Sequence, residues 1–508
     1  LNEFSSRLSS PFLNRIISLI PGDEPVYLVG GTIRDAFLNR TNYDLDFVIP
    51  GDAMKLARQI GNKLGAAYYP LDKHRNMARL VINIEAECKW DSGMPGRIDF
   101  STFQGADLTA DLEGRDFTMN AMAVEVHELF SLIDPLGGLA DLKSKRLRAC
   151  SPQSFIHDPV RILRAVRFSV DLKLSIHPGT MQLIRQAVSL LTDISPERLR
   201  DELFRILTQS NPSSSFRILD KLNTLEYILP EIVRLKNIQQ SPPHIMNAWD
   251  HSLDTVRRLE ELLEFLAKEY NPDKTGHLML GLAGLRLGRY RQHFMEHFQN
   301  SINPDRPQRG ILILAGLLHD VGKAKAQKVD ENGKIRFIEH EHIGCELVEK
   351  RTKALKLSNQ EAERIKTIVK HHMRPSLLSH NDDLPSNKAV YRFFHDTGEA
   401  GVDICFLSMA DILATYGTTL SQERWTRHLD VIRELLNAWY EERTARIFPP
   451  PLINGDELMA ELNLESGPVV GYLLDALREA QVMGDIHTQQ EALSLAMRLS
   501  QGKIIKKG

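Results

Sequence analysis

The sequence predicts an α+β protein, with a mixed α/β region over residues 1–150 followed by an all-α remainder. Three observations carry this. Strand-like runs, "VYLVGG", "DLDFVIPG", "ARLVINIEA" and "GRIDFSTF", cluster near the N-terminus. A helical period then holds almost without interruption from "SFIHDPVRILRAVRFSVDL" onward. At 508 residues the chain also has length for roughly two to four separate cores.

In chain order, "AMKLARQIGNKLG" reads as a helix between two of the strands. "SPERLRDELFRIL" opens on Ser195, Pro196 and Glu197, a capped helix start. Proline-rich interruptions at "QQSPPH" near 240 and "RIFPPPLINGDEL" near 450, with a softer change near 420, mark boundaries. The expected division is 1–150, 151–240, 241–420 and 421–508. No short-period repeat or low-complexity tract is evident, and "KIIKKG" is a small basic tail.

With 42% hydrophobic and 25% charged residues the chain reads as globular, which excludes a disordered or collagen-like protein. A net charge of −3 gives no overall attraction for polyanions, so any nucleic-acid surface is local. Cys88, Cys150, Cys345 and Cys405 form no C-x-x-C pair, which argues against a disulfide framework or cysteine zinc site and for a reducing cytoplasm. The apolar run "ILILAGLL" at 311–318 falls short of the roughly 20 residues that span a bilayer, and "LNEFSSRLSS" lacks the pattern of a signal peptide. No membrane association is expected.

The stretch "YLVGGTIRDAFLNRTNYDLDFVIPG" carries the first chemistry. Gly30 and Gly31 between strand and helix let the backbone approach a ligand closely and aim helix N–H groups at an anion. An isolated Gly-Gly pair is more simply a tight turn. Asp44 and Asp46, two apart on a strand, project to one face, where two carboxylates repel unless a cation lies between them. Hard oxygen ligands of that kind suit Mg2+ joined to substrate phosphates, the equipment of phosphoryl or nucleotidyl transfer.

"LVGGTIRDAFLNRTNYDLD" resembles the signature of the class II tRNA nucleotidyltransferase and poly(A) polymerase family. Arg34 and both aspartates fall where that pattern has them. "GRDFTMNAMAV" is similar to the family's ribose-recognising segment through Arg115, Asp116 and Asn120. "DPLGGLADL" resembles the turn that follows. "HDPVRILRAVRF" resembles the base-selecting helix, with His157 where many members have an acidic residue. The resemblance covers about the first 170 residues and implies a polymerase-β-like nucleotidyltransferase head, with Asp44 and Asp46 catalytic and holding Mg2+. It further implies nucleotide binding by Gly30, Gly31, Arg34, Arg115, Asp116, Asn120, Asp158, Arg161, Arg164 and Arg167.

Read from spacing alone, Asp158 and Arg161 share a helical face, as do Arg164 and Arg167. A bland account is a solvated charged stripe. In the sharper one a carboxylate accepts and a guanidinium donates, matching the exocyclic amine beside a ring nitrogen that cytosine and adenine both present. Guanine and uracil would set a carbonyl oxygen against Asp158. Asp99 in "GRIDFSTF" ranks below the pair as a further carboxylate. The segment from Asp46 to Arg115 resembles the full-length form of the family, which favours an enzyme able to add A.

The helical half holds a second pattern. His251, His319, Asp320, His340, His371, His372 and Asp411 follow an order that resembles the HD phosphohydrolases, the pair in "LLHDVGKAKA" being most specific. Such nitrogen and oxygen donors suit a divalent metal, Ni2+, Mn2+ or Mg2+. The candidate ligands are His251, His319, Asp320, His340, His371 and Asp411. The C-terminal "PPPLINGDELMAELNLESGPVVGYLLDALREAQ" is similar to the family's final segment, where the helix start at Gly467 and Pro468 offers free N–H groups to tRNA phosphate, with helical packing alone an equal account of each residue.

The expected activity is template-independent addition of CMP and/or AMP from CTP or ATP to the 3′ end of tRNA. Poly(A) polymerase or an A-adding-only enzyme shares these motifs. An HD phosphohydrolase with a nucleotide-binding head, or transfer to a small molecule, are alternatives of other classes.

Overall fold

Seven strands form the N-terminal sheet: β1 Tyr27–Val29, β2 Asp44–Ile49, β3 Ala67–Asp72, β4 Met77–Ile82, β5 Gly96–Thr102, β6 Ala123–Glu125 and β7 Leu132–Ile133. Their order is β3-β4-β5-β2-β1-β6-β7. Only β2 and β5 pair in parallel; the other neighbours are antiparallel. The computed structural model describes every residue except 1–7, 9–10, 23, 41–43, 83–95, 129–130, 270–276, 381–382 and 505–508. The last part of the expected strand "ARLVINIEA" lies outside the described residues. By compactness the chain divides into Leu1–Glu202 with Ile218–Ile228, and Leu203–Arg217 with Leu229–Gly508.

Strand alternation decides which face of the sheet is core. Leu45, Phe47 and Ile49 of β2 join Leu28, Leu80, Ile98 and Phe100 in one apolar cluster, with Leu56, Ala57 and Ile60 from the helix Ala53–Leu64. Asp52 caps that helix by accepting from Lys55 N, and Gly65 closes it in the left-handed conformation at φ 64°. Phe47 stacks on Phe100 at 5.1 Å across the parallel pair. The opposite face has a smaller core of Val29, Val48, Leu112, Ala121 and Ala123, and there Asp44 and Asp46 lie on the same side as Val48. Strand β3 escaped the sequence reading because Pro70 interrupts it; a sheet edge tolerates a proline that the interior would not.

One expected helix is broken. Residues Ser154–His157 and Arg161–Asp171 are separate helices, and Asp158 between them is extended at φ −150° and ψ 92°. Pro159 accounts for this, since a residue preceding proline is driven out of the helical region. Asp158 and Arg161 therefore do not share a helical face, because proline forbids the continuity that their spacing implies.

The second unit is mainly helical, with five helices carrying or adjoining the HD residues: Ala248–Leu266, Gln308–Leu318, His340–Ala354, Asn359–His371 and Ala400–Tyr416. Two short hairpins interrupt the expected all-α region, Ser301–Asn303 with Arg306–Pro307 and Gln327–Val329 with Ile335–Phe337. Among the described residues one helical stretch, Ala400–Thr419, is long and apolar enough to cross a membrane, but 83% of its most apolar 18-residue window is buried inside the protein as a core helix. The chain end forms its own cluster from Ile453, Leu458, Leu473, Leu477, Ala492 and Ala496, with Asn454 and Glu457 closing a capping box.

Glu260, inside Ala248–Leu266, is buried and accepts a hydrogen bond from Ser213 N at 2.8 Å. Burial pushes its carboxyl up to about 7 against that bond. A folded-state value above the unfolded one means that stability is full below the unfolded value and falls as pH rises through the folded one. Glu260→Gln keeps the acceptor and removes the charge, so it should raise the melting temperature by a few degrees at pH 8 and change little at pH 5. Equal shifts at both pH values in a melting series would contradict this.

Candidate active sites

The head site is built around Gly30. It sits at φ 74°, and a Cβ there would lie 3.2 Å from Asp46 Oδ2 and 3.3 Å from Arg115 NH1. Glycine is thus required both by the turn and by the close approach of a carboxylate and a guanidinium. The helix Gly31–Phe37 follows, tied to β2 by Thr32 Oγ1 donating to Asp44 O at 2.8 Å. Asp44 is exposed, whereas Asp46 is half-buried.

Parallel register sets Asp46 beside Asp99, and antiparallel register sets Asp99 opposite Arg79. Arg79 grips Asp99 through Nε at 2.7 Å and NH2 at 2.8 Å. Burial, opposed by Arg115 and reinforced by the charges of Asp99 and Asp44, pushes the Asp46 carboxyl up to about 6. A cation between Asp44 and Asp46 would relieve that crowding, so the donors fit a hard divalent ion completed by phosphate oxygens. Among the described residues, the groups of three donors within 4.8 Å lie elsewhere, in the helical unit.

Behind the turn runs a relay of charge-assisted bonds. Arg34 donates to both Asp35 oxygens and to Asn120 Oδ1, each at 2.8 Å, and Asn120 Nδ2 donates to Asp116 Oδ1 at 3.0 Å. Arg164 closes the relay on Asp116 Oδ2 at 2.9 and 2.7 Å. Although buried, Asp116 is held down to about 2, because Arg164 and Asn120 outweigh the cost of burial. Arg115 is held by Asp111 at 3.1 Å, and Arg167 by Glu202 at 2.5 Å. The guanidiniums of Arg34, Arg164 and Arg167 lie 5.1, 5.2 and 4.4 Å from the ring centre of Phe168.

The expected base-reading pair is engaged elsewhere. Asp158 accepts from Arg198 NH2 at 2.7 Å, and Arg161 donates to Gly114 O at 2.8 Å and Arg115 O at 3.0 Å. Sequence reasoning missed Arg79, Asp111 and Asp35 as partners of site residues. Only the i,i+4 spacing of Asp111 and Arg115 signalled one of them.

In the helical unit six side chains converge. Asp320 Oδ2 lies 3.5 Å from His251 Nε2 and 3.2 Å from His319 Nε2, while Oδ1 lies 3.3 Å from His340 Nε2 and 4.0 Å from His372 Nε2. Asp411 Oδ1 is 3.0 Å from His251 Nε2. His319, His340 and His372 each direct Nδ1 at the carbonyl of the residue three before, Gly316, Phe337 and Val369, at 2.7, 2.9 and 2.7 Å. An Nδ1–H held this way leaves Nε2 as a lone-pair donor, the arrangement of metal-ligating histidines. Gly322 allows the approach of "HDVGK" to the helix His340–Ala354, since a Cβ there would meet His340 O at 1.9 Å.

The donors fit a metal. Nε2 of His251, His319 and His340 and both Asp320 oxygens are buried without a well-formed hydrogen bond. Asp320 is met by charge instead, Lys323 Nζ lying 2.6 Å away. Burial works against ionisation of Asp320, but His319 and Lys323 outweigh it and hold the carboxyl well below the usual range. The donors form two sets, His251, His319, Asp320 and Asp320, His340, His372, sharing one carboxylate.

His371 is a correction. It is the last residue of its helix, half-buried, and burial with Arg374 and Lys370 pushes it down to about 4. The next residue, His372, is buried in the cluster. Adjacent helical residues point about 100° apart, so one of the two faces the donors and spacing alone does not say which.

A carboxylate-bearing strand beside a glycine turn, with a histidine and aspartate cluster in a helical unit, defines a nucleotidyltransferase class that carries a second metal-donor set. Comparisons narrow this. Residues 26–148 match the Poly A polymerase head domain, 173–235 the probable RNA and SrmB-binding site of polymerase A, 249–443 the HD domain, and 448–496 the putative tRNA nucleotidyltransferase domain 2. The A-adding tRNA nucleotidyltransferase of Deinococcus radiodurans is 31% identical over 479 residues, covering 93% of this chain and 94% of the relative. The CC-adding tRNA nucleotidyltransferase of Thermus thermophilus is 29% identical, covering 91% of each. In fold the chain is similar to the Thermotoga maritima CCA-adding enzyme complexed with tRNA, at TM-score 0.57 and 22% identity over 98% of both chains. The chain belongs to the class II tRNA nucleotidyltransferases with an HD domain.

Two outcomes follow from the geometry. Gly30→Ala should lower nucleotidyl transfer about a hundredfold or more while the protein stays folded, because the Cβ displaces Asp46 and Arg115. Kinetics beside a thermal melt check this. Metal analysis after loading with Mn2+ should show His372→Ala losing bound metal and His371→Ala retaining it; the reverse would refute the placement of the pair.

Proposed function

We propose that this tRNA nucleotidyltransferase adds CMP and/or AMP from CTP or ATP to the 3′ end of tRNA in the cytoplasm, releasing pyrophosphate. The observation that carries this is the crowding of Asp46 with Asp44 and Asp99 against the Gly30 turn. The RNA 3′-hydroxyl attacks the α-phosphate, and the bond to pyrophosphate breaks. Asp44 and Asp46 would hold Mg2+, which would supply electrophilic stabilisation of phosphate charge. Gly30, Gly31 and Arg34 orient the triphosphate, and Arg115, Asp116 and Asn120 face sugar or phosphate. Asp158 and Arg161 read the base once nucleotide competes for their present partners, backed by Arg164 and Arg167. The similarity to both A-adding and CC-adding relatives supports the activity at the level of CMP and/or AMP.

A second reading, metal-dependent phosphohydrolysis in the HD region, is favoured by the orphaned Asp320 oxygens. His251, His319, Asp320, His340, His372 and Asp411 would hold a divalent metal, Ni2+, Mn2+ or Mg2+, which stabilises phosphoryl charge when bound.

Incubating the protein with tRNA lacking one, two or three terminal nucleotides and each labelled NTP tests the first reading, since CCA, A-only and poly(A) products differ in length. Asp44→Ala should abolish incorporation and spare ester hydrolysis, whereas Asp320→Ala should do the reverse. Near-normal incorporation by Asp44→Ala would sink the head mechanism.

A further inference from the structure

The Asp158 carboxylate is one half of a donor and acceptor pair whose other half is Arg198 rather than Arg161. Arg198 NH2 donates to Asp158 Oδ2 at 2.7 Å. Arg161 is turned instead to the carbonyls of Gly114, Arg115 and Ser154, at 2.8, 3.0 and 3.4 Å. Asp158 Oδ1 accepts from Val160 N at 3.3 Å, which ties the carboxylate to the entry of the helix Arg161–Asp171.

Arg198 is carried by the helix Pro196–Thr208. Glu202 stands four residues on, hence on the same helical face, and accepts from Arg167 Nε of the helix Arg161–Asp171 at 2.5 Å. The helix is thus bridged twice toward the base-reading entry, through Arg167 with Glu202 and through Asp158 with Arg198. The bridges differ in depth. Glu202 is buried, whereas the side chains of Arg198 and Asp158 are 56% and 26% exposed, within reach of a ligand. Among the described residues the Arg198 guanidinium has no other partner, so most of its five N–H donors are open. A carboxylate oxygen has two lone pairs, so an amine that competes for Oδ2 need not expel Arg198.

Side by side, an accepting Oδ2 and a donating guanidinium repeat the pattern of an asparagine amide, the group that reads adenine through N6 and N7. Adenine alone sets an amine hydrogen beside a ring-nitrogen acceptor on that edge. Cytosine has the amine without the neighbouring acceptor, while guanine and uracil set O6 and O4 against the carboxylate. The amine and ring nitrogen on the other side of the base are common to cytosine and adenine, so Asp158 with Arg161 does not separate those two. We propose that Arg198 is the residue that specifies adenine: while Asp158 accepts from the N6 amine, the Arg198 guanidinium donates to N7, an acceptor that CTP lacks. This rests on the reading of Asp158 as a base-selecting group.

The test uses the full chain with Mg2+ and tRNA ending in CC, and compares ATP with 7-deaza-ATP, in which a C–H replaces N7 and the amine is kept. ATP should exceed 7-deaza-ATP by about tenfold in kcat/KM, the lower part of the range for a paired base contact because the site is partly exposed. Arg198→Ala should bring ATP down to the level of 7-deaza-ATP, so that the ratio approaches one. Arg198→Lys, which keeps a cation with N–H donors, should restore part of the ratio, and it reads the same quantity if the alanine variant does not fold. A structural Arg198 would slow both nucleotides equally and leave the ratio as in the unaltered protein. That result, or equal use of the two nucleotides by the unaltered protein, would overturn the assignment of Arg198. So would a protein that adds CMP alone, which has no adenine to read. Asp158→Ala checks the underlying reading separately: a variant that still excludes GTP and UTP would show that Asp158 does not select the base, and the role of Arg198 would fall with it.

Discussion

The parallel register of β2 with β5 is the constraint on which the head depends. One alignment pairs Phe47 with Phe100 and Asp46 with Asp99. The first pair is sealed in the core by stacking, and that burial fixes the second pair on the opposite face. A slip of one residue would expose the rings and bury the acids, at a cost of several kcal/mol for the aromatic surface alone. The carboxylates are thus crowded together by a core that gains from burying their neighbours.

The two centres solve the problem of buried acid differently. In the head, Asp46 gathers like charge from Asp44 and Asp99, and its carboxyl is pushed up despite Arg115. In the helical unit, Asp320 is wholly enclosed, yet His319 and Lys323 hold it ionised. A crowd of acids calls for a cation that arrives with substrate phosphate, since those oxygens complete the coordination. A carboxylate ringed by oriented imidazoles offers a more nearly complete donor set before any substrate is bound. Exposure differs between the two donor groups in the same sense, with Asp44 at the surface and Asp320 within.

Much of this was legible in the sequence because chemistry and periodicity coincided. Asp44 and Asp46 stand two apart on a strand, and the adjacent His319 and Asp320 mark the centre of the donor cluster. What escaped were features that depend on tertiary register or on a single proline. Arg79 meets Asp99 only because β4 and β5 align, which no local pattern encodes. Pro70 hid an edge strand and Pro159 broke a helix whose charge spacing otherwise read as continuous. Choosing His372 over His371 required the phase of a helix end, which sequence periods specify least well. The short hairpins in the helical half have few residues with which to show alternation.

Selection of a nucleotide by side chains demands rigidity, because a template that wanders by an ångström cannot discriminate an amine from a carbonyl. In this head the rigidity comes from charge-assisted bonds behind the site. Arg34 on the first helix, Asn120 and Asp116 on the central segment, and Arg164 on the helix Arg161–Asp171 form one continuous relay, packed over Phe168. Arg161 adds a direct clamp by donating to the carbonyls of Gly114 and Arg115. Several residues that the family resemblance marks as nucleotide-binding are therefore bonded to one another. Their mutual geometry is fixed by these bonds, whereas Asp158, half-buried at the entry to this helix, is held by the more exposed Arg198. An ion pair with one largely exposed partner contributes little to stability, so this contact is the weakest in an otherwise fixed frame.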